Sequence, residues 1–118
     1  MKPIIIAEDY ASTRRALVRA LAKRYDTQVD GVENGRQLVE RVRDGDHSFV
    51  LTDRDMPIMG GLEATREIRK THPDIPIVMM SGLGSEEEAL AAGANAFVKK
   101  SFSLQELYAA TDRFAVIG

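Results

Sequence analysis

The amino-acid sequence predicts an α/β fold in which a single doubly wound parallel sheet of five strands is flanked by five helices. Short apolar runs recur along the chain, and between them apolar residues repeat at helical spacing. The first three apolar runs do not alternate with polar residues, as expected for parallel strands that are covered on both faces. Because strand and helix alternate five times, right-handed crossovers are expected to place helices on both sides of the sheet.

Five segments are predicted to form the strands. Four are the apolar runs at residues 4–7, 49–51, 77–80 and 96–98, which give the first, third, fourth and fifth strands. The second strand is the weaker stretch at residues 27–32, where polar and apolar residues alternate as in an exposed edge strand.

The helices are predicted between and after these strands. Ser85 followed by three glutamates indicates an N-cap with acid in the first turn, which marks the start of the fourth helix. The other four show apolar residues at helical spacing: Ala16, Leu17, Ala20 and Leu21; Leu38, Val39 and Val42; Leu62, Thr65 and Ile68; and Leu104, Leu107, Tyr108 and Thr111.

The composition limits the classes of function. A chain of 118 residues with 44% hydrophobic residues and a formal net charge of −2 is typical of one globular domain, predicted at residues 1–118. The absence of cysteine excludes disulfides, cysteine-ligated zinc and thiol nucleophiles. The 16 Lys and Arg residues are spread out, so we expect no direct contact with nucleic acid. The N-terminal segment fits neither a signal peptide nor a membrane span, so we expect a cytoplasmic protein without membrane contact.

Polar side chains follow the predicted strands at their carboxyl ends, where sheets of this kind bind ligands. Carboxylates gathered at one edge repel each other by about 4 kcal/mol per pair at ~4 Å and an effective dielectric constant near 20. A hard divalent cation such as Mg²⁺ would offset that repulsion. The residues are Glu8 and Asp9 after the first strand, Asp53 after the third, Ser81 after the fourth, and Lys99 and Lys100 after the fifth.

This set of side chains favours phosphoryl transfer. Asp53 leaves its strand directly and can act as the nucleophile, which would form an aspartyl phosphate. A lysine at the neighbouring strand end would act as a point charge on one phosphoryl oxygen, and Ser81 could donate its hydroxyl to another.

The residues at the strand ends, together with Met56-Pro57, Gly61, Gly93-Ala94 and Phe97, resemble those of bacterial response regulator receiver domains along essentially the whole chain. The resemblance implies a flavodoxin-like sheet with strand order 2-1-3-4-5, and Mg²⁺ as the cofactor. It also implies a role for each residue: Asp53 is the phosphoacceptor and a metal ligand, Glu8 and Asp9 bind the metal, Asp55 lends it a backbone carbonyl, Ser81 is the switch hydroxyl, Lys100 pairs with the phosphoryl group, and Phe97 is the aromatic side chain whose rotamer follows.

As a receiver, the chain would act in a two-component phosphorelay. A sensor histidine kinase or a phosphotransfer protein would give Asp53 its phosphoryl group. The changed surface would then bind a downstream protein that the sequence does not identify, and homodimer formation stays open. The chain would be a signalling switch that catalyses its own phosphorylation and dephosphorylation, rather than an enzyme with a separate substrate.

Several positions near the site depart from the family pattern. Ser101 follows Lys100 where most receivers have proline, and we predict a trans peptide bond there because a non-proline cis bond costs about 2.5–4 kcal/mol. Lys99 leaves the choice of the site lysine open by one position. Arg54 and Asp55 are predicted to modulate the site: Asp55 is expected to change the lifetime of the phosphoryl group by influencing how water approaches. The alternative is that the two residues simply pair with each other or with solvent.

Other predictions concern the surface. The spacing from Ser81 to Gly93 is about one helical turn shorter than in most receivers, which predicts a shortened fourth helix. That helix helps to form the face by which receivers commonly dimerise or contact outputs, so partner choice does not follow from the family. Solvent-exposed positions are predicted for Arg14 and Arg15, on a helix face that a kinase could use, and for His47 and His72.

Two alternative functions stay open. A flavin-binding electron carrier would share the architecture, but acids occupy the place where it needs a phosphate-cradling loop. A receiver-like interaction module that takes no phosphate is favoured by Ser101 and Arg54. The apolar end at residues 113–118 fits either a complete single-domain regulator or a fragment of a longer protein.

Overall fold

A computed structural model describes residues 1–115 of the chain, and in this part strand and helix alternate five times. A 3₁₀ turn at Asp112–Phe114 follows the last helix. The strands are β1 (Ile4–Ala7), β2 (Val29–Val32), β3 (Val50–Asp53), β4 (Ile77–Ser81) and β5 (Ala96–Lys99). The helices are α1 (Ala11–Tyr25), α2 (Gly35–Asp44), α3 (Gly61–Thr71), α4 (Glu86–Ala92) and α5 (Leu104–Thr111).

All five strands run parallel, and their order in the sheet is β2-β1-β3-β4-β5. The predicted α/β fold with strand order 2-1-3-4-5 is therefore confirmed. The chain changes direction across the sheet after β2, so that β1 and β3 lie side by side at its centre. Loops that leave the carboxyl ends of these two strands diverge there, which opens the crevice where ligands bind in sheets of this class.

Successive side chains of each strand point to opposite faces of the sheet, and both faces are covered. Ile5 and Ala7 pack with residues of α2, α3 and α4, whereas Ile4 and Ile6 pack with residues of α1 and α5. Every residue of β1, β3 and β4 is buried, which explains why these runs are apolar without alternation. Within residues 1–115, no helix has the length and apolar character needed to cross a membrane.

The edge strand and the short helix are also found where the sequence predicts them. β2 lies at one edge of the sheet and three of its four residues are partly or fully exposed. α4 has only seven residues, fewer than the other four described helices. It begins with a capping box between Ser85 and Glu88 and ends at Gly93, whose φ of 114° favours glycine.

The histidine at the amino edge of the sheet differs from its prediction. The side chain of His47 is only 5% exposed, and its Nε2 lies 3.1 Å from Oδ2 of Asp30 in β2. The prediction of a surface histidine was wrong for His47, because a contact between residues 17 positions apart leaves no local pattern in the sequence. The alternatives raised for the end of the chain concern residues 113–118, of which 116–118 lie outside the described part.

Arg69 ties α3 to the elements beside it through four hydrogen bonds. Its Nε donates to the carbonyl of Gly93 at 2.9 Å and its Nη2 donates to Oδ1 of Asn95 at 2.8 Å. Its Nη1 donates to the carbonyls of His72 at 3.0 Å and Ile75 at 2.6 Å. Partial burial of the guanidinium lowers the pKa of Arg69 from its usual value, and these bonds offset the cost of burying the charge.

Replacing Arg69 is expected to weaken the fold without changing the carboxyl ends of the strands. Arg69→Met should lower the free energy of unfolding by about 2–4 kcal/mol, because buried carbonyls lose their charged donor. Urea denaturation measures this loss. Arg66→Met, at an exposed position on the same helix, should change it by less than about 0.5 kcal/mol. Equal midpoints for the two variants would contradict the role given to Arg69.

Candidate functional site

The carboxyl ends of β1, β3, β4 and β5 bring the predicted polar residues together. Asp53 and Ser81 are the last residues of β3 and β4, so they end their strands rather than follow them. The register places Asp53 beside Met80 and Ser81 beside Lys99. Short loops after β1 and β5 carry Glu8, Asp9 and Lys100 to the same edge.

Three carboxylates form a cluster at this edge. One oxygen from each of Glu8, Asp9 and Asp53 lies within 4.8 Å of the other two, and no other such group of acids and histidines occurs in residues 1–115. Glu8 and Asp53 are buried, with 0% and 3% of their surface exposed, whereas Asp9 faces solvent. A buried pair of acids with an exposed third acid forms a site that a cation can enter from one side.

Lys100 supplies positive charge to the buried acids. Its Nζ donates a hydrogen bond of 2.8 Å to Oδ2 of Asp53 and lies 2.6 Å from Oε1 of Glu8. Lys99 is exposed, so the structure places Lys100 rather than Lys99 in the site. All peptide bonds in the described part of the chain are trans, and the prediction for the bond between Lys100 and Ser101 is confirmed.

The ionisation of Glu8 and Lys100 is coupled through these contacts. Burial, followed by the repulsion from Asp53, raises the pKa of Glu8, although Lys100 opposes the rise. Burial also disfavours the charge on Lys100, but its hydrogen bond to Asp53 and its ion pairs with Asp53 and Glu8 prevail and raise the pKa of Lys100. Two buried carboxylates thus share one ammonium group, which leaves the edge with an excess of negative charge.

The donor set fits a hard divalent cation. All three carboxylates offer oxygen ligands, which Mg²⁺ prefers. Oε1 of Glu8 is buried, and its contact with Lys100 lacks the angles of a hydrogen bond, so this oxygen has capacity for a further cation. Asp55 contacts the cluster through its backbone N–H, which donates to Oδ1 of Asp53 at 3.3 Å. The predicted use of the Asp55 carbonyl as a metal ligand stays a prediction.

The loop between Asp53 and α3 has a shape that only glycine permits at Gly61. The N–H of Gly61 donates to the carbonyl of Arg54 at 2.8 Å, and a Cβ at Gly61 would lie 2.2 Å from the carbonyl oxygen of Asp53. The chain therefore folds back directly onto the end of β3. The segment that begins at Met56-Pro57 thus returns to the backbone of Asp53 and Arg54 at Gly61.

Ser81 is turned away from the acids and toward its own loop. Its buried hydroxyl oxygen accepts hydrogen bonds from the backbone N–H groups of Gly84 at 2.7 Å and Leu83 at 3.2 Å. Phe97, on the neighbouring strand β5, is half-buried and packs against the core on the side of α2, α3 and α4. The two residues lie on adjacent strands, and their switch roles stay predictions.

Arg54 has a partner that the sequence did not indicate. Its Nη1 donates to Oδ1 of Asp55 at 3.0 Å, which agrees with the predicted pairing, and its Nη2 donates to Oε2 of Glu88 on α4, also at 3.0 Å. The side chain crosses Gly84, where a Cβ would meet Arg54 Cδ at 2.5 Å. Arg54 therefore joins the end of β3 to the start of α4 across the Ser81 loop. A contact over 34 positions has no periodic signal in the sequence.

Arg14 also differs from its prediction. Its side chain is only 16% exposed, and its Nη1 donates to the backbone carbonyl of Glu8 at 2.9 Å. The prediction of a solvated helix face was wrong for Arg14, because the side chain folds back onto the loop after β1. Arg15, the next residue, is exposed as predicted.

A parallel sheet of order 2-1-3-4-5 with an acidic cluster and a lysine at its carboxyl edge defines the class of protein. The response regulator receiver domain matches residues 4–112, and the chain belongs to this family. This assignment sets aside the flavin-binding electron carrier, which would need a phosphate-cradling loop where Glu8 and Asp9 stand.

Individual relatives agree with the assignment. The chemotaxis protein CheY of Halobacterium salinarum is 33% identical over 104 residues, which make up 86% of this chain and 86% of that protein. The autoinducer 2 sensor kinase/phosphatase LuxQ of Vibrio vulnificus is 32% identical over 112 residues, but these span 92% of this chain and only 13% of LuxQ. The receiver domain of a Pseudomonas aeruginosa sensor histidine kinase, with a magnesium ion coordinated in its active site cleft, is 27% identical, covers 97% of both chains and has a TM-score of 0.84.

Proposed function

We propose that this receiver accepts a phosphoryl group on Asp53 in a Mg²⁺-dependent reaction and that the phosphoryl group switches its partner-binding surface. The observation that supports this most strongly is the buried carboxylate of Asp53 between Lys100, 2.8 Å away, and the acids Glu8 and Asp9. A nucleophile, a cation and a metal-binding pair thus meet at one strand end. The magnesium-bound receiver of the Pseudomonas kinase, at 27% identity, supports the choice of metal.

In the proposed reaction, an oxygen of Asp53 forms a bond to the phosphorus of a phosphohistidine. The bond from phosphorus to the histidine nitrogen breaks, and its electron pair stays on the imidazole. Glu8, Asp9 and Asp53 would hold Mg²⁺, which supplies positive charge to the phosphoryl oxygens. Lys100 already contacts Oδ2 of Asp53. After transfer, its ammonium group would contact a phosphoryl oxygen and stabilise the negative charge there.

The switch would operate through the loop after β4. The Ser81 hydroxyl accepts from the N–H groups of Leu83 and Gly84 and keeps its own hydrogen to donate, so a shift of this hydroxyl toward the phosphoryl group would draw the loop with it. Arg54 lies across that loop and is bonded to Glu88, so the movement would reach the start of α4. Phe97 would repack beside it, and the altered surface would be recognised by a partner.

The partners and setting follow from the same proposal. A sensor histidine kinase or a phosphotransfer protein would donate the phosphoryl group, and a downstream protein or a second copy of the chain would bind the altered surface. The chain would act in the cytoplasm as a switch that catalyses its own modification, and not as an enzyme with a separate substrate.

Asp55 is proposed to promote loss of the phosphoryl group. Its carboxylate is 61% exposed, two residues from Asp53, and can accept a proton from an attacking water. Asp55→Asn should therefore lengthen the lifetime of the aspartyl phosphate by roughly threefold or more. The decay of phosphorylated protein after removal of the donor measures this lifetime. Asp44→Asn, an exposed change on α2, serves as the control, and identical decay for both variants would refute the role of Asp55.

The second candidate function is an interaction module that takes no phosphate. It is favoured by Ser101, which stands where most receivers have proline, and by Arg54, which is charged beside the phosphoacceptor. Incubation with acetyl phosphate and Mg²⁺ separates the two functions. The proposed receiver gains the mass of one phosphoryl group, whereas the module gains none.

A further inference from the structure

The loop after β1 is held by a side chain outside the acidic cluster. The N–H of Glu8 donates to the carbonyl of Val32 on β2 at 3.0 Å, and the carbonyl of Glu8 accepts from Nη1 of Arg14 at 2.9 Å. This carbonyl belongs to the peptide unit that joins Glu8 to Asp9. Because a peptide unit rotates as a plane, the bond from Arg14 sets the direction in which the Asp9 backbone leaves β1.

The edge strand makes room for the Arg14 side chain. A Cβ at Gly31 would lie 3.3 Å from Cγ and Cδ of Arg14 and 3.3 Å from Cγ2 of Val18. The stem of Arg14 therefore packs directly on the backbone of β2, in space that a larger residue at position 31 would take. This contact explains a glycine in a strand, where glycine is otherwise unfavourable.

The other arm of the guanidinium faces an acid at the end of β2. Nη2 of Arg14 lies 3.6 Å from Oε1 of Glu33, so one planar group reaches the loop after β1 and the loop after β2. Lysine has a single ammonium and cannot span two such acceptors with fixed geometry. The fork of Arg14 thus contacts both loops, with its hydrogen bond to the loop after β1 and its ion pair to the loop after β2.

We infer that Arg14 is a positioning residue for the divalent cation: it orients the peptide between Glu8 and Asp9, so that both carboxylates face one ion. The inference rests on the proposed function, because it needs the acidic cluster to be a metal site. Arg14 itself offers no ligand to the cation and acts only through the backbone of Glu8. Partners of this kind typically change metal affinity by about 10–100-fold when they are removed.

Titration of the protein with Mn²⁺, monitored by isothermal titration calorimetry, tests the inference without any phosphodonor. Arg14→Met should weaken Mn²⁺ binding by about tenfold, and Arg14→Lys, which can still supply one donor, should fall between that variant and the wild type. Arg15→Met is the matched control, because it removes the same charge from the next, exposed position of α1 and should leave the affinity within about twofold.

A second variant keeps every charge in place. Gly31→Val should displace the stem of Arg14 and weaken Mn²⁺ binding in the same direction as Arg14→Met. A further readout is phosphoryl uptake against Mg²⁺ concentration: for Arg14→Met, the half-saturating concentration should rise by about tenfold while the rate at saturation stays near that of the wild type. A general loss of structure would instead lower the rate at saturation.

The outcomes are distinct. Arg14→Met with the Mn²⁺ affinity of the wild type would overturn the role of Arg14 and leave the proposed function intact. A wild type that binds no divalent cation would overturn both the proposed function and this inference. Weaker binding in Arg14→Met and Gly31→Val, with unchanged binding in Arg15→Met, would support the assignment.

Discussion

Asp53→Asn is expected to take up no phosphoryl group from acetyl phosphate in the presence of Mg²⁺. The amide oxygen of asparagine is a poor nucleophile and cannot form an aspartyl phosphate, while the neutral side chain retains the size of aspartate. Intact-protein mass spectrometry measures the uptake directly. Asp44→Asn removes an equivalent charge from an exposed site on α2 and should be phosphorylated like the wild type.

The same variant should be more stable than the wild type when no divalent cation is present. Asp53 and Glu8 are both buried and share the ammonium group of Lys100. Removing one of the two like charges relieves their repulsion, and we expect urea denaturation in EDTA to show a gain of about 1 kcal/mol. Phosphorylation of Asp53→Asn at the wild-type rate would place the phosphoacceptor elsewhere, and a loss of stability would contradict the excess negative charge assigned to the site.

Lys100→Met is expected to impair both phosphoryl uptake and stability. The rate of uptake should fall by about 10²–10³-fold, because no preorganised cation would then stabilise the negative charge that develops on the phosphoryl oxygens. In EDTA, the free energy of unfolding should fall by about 2–4 kcal/mol, because Glu8 and Asp53 are left buried without their ion-pair partner. Since Mg²⁺ would restore positive charge, saturating Mg²⁺ should reduce this loss of stability.

Lys99→Met provides the control for Lys100→Met. Lys99 carries the same charge at the preceding position but is exposed at the end of β5. Its replacement should leave the uptake rate and the stability close to those of the wild type. Equal behaviour of the two lysine variants would show that the contacts of Lys100 with Asp53 and Glu8 are unimportant for phosphoryl uptake and stability.

The sheet could be predicted from the sequence because burial on both faces leaves a continuous apolar signal. The run at residues 4–7 is buried completely in β1, the run at residues 77–80 lies in β4, and the run at residues 49–51 begins one residue before β3. The order of the strands cannot be predicted in this way, since periodicity carries no information on which strands are neighbours. It came from the resemblance to receiver domains, and the structure confirms it.

The acidic cluster could also be predicted, because parallel strands end at the same edge of the sheet. To predict that Glu8, Asp9 and Asp53 lie together, it is enough to know where the strands end. The choice between Lys99 and Lys100 also requires the register of the strand, since the side chains of adjacent residues point in opposite directions. The register of β5 against β4 settles it, by pairing Lys99 with Ser81 and leaving Lys100 to turn toward Asp53.

The contacts that sequence reasoning missed all join a side chain to a different element of the fold. The pair of arginines at positions 14 and 15 predicts a solvated helix face, whereas the bond from Arg14 to the Glu8 carbonyl depends on the path of the loop after β1. The bonds from Arg54 to Glu88 and from His47 to Asp30 cross between elements in the same way. Such pairs depend on the final packing of the chain and leave no local pattern.

The most direct test of the proposed switch is the mass of the wild-type protein over time after mixing with acetyl phosphate, with Mg²⁺ and with EDTA. We expect one added phosphoryl group in Mg²⁺, located by fragmentation on the peptide that contains Asp53, and none in EDTA. Sampling from the earliest accessible times captures a short-lived adduct. No added mass at any time in Mg²⁺, or the same added mass in EDTA, would contradict Mg²⁺-dependent phosphorylation of Asp53.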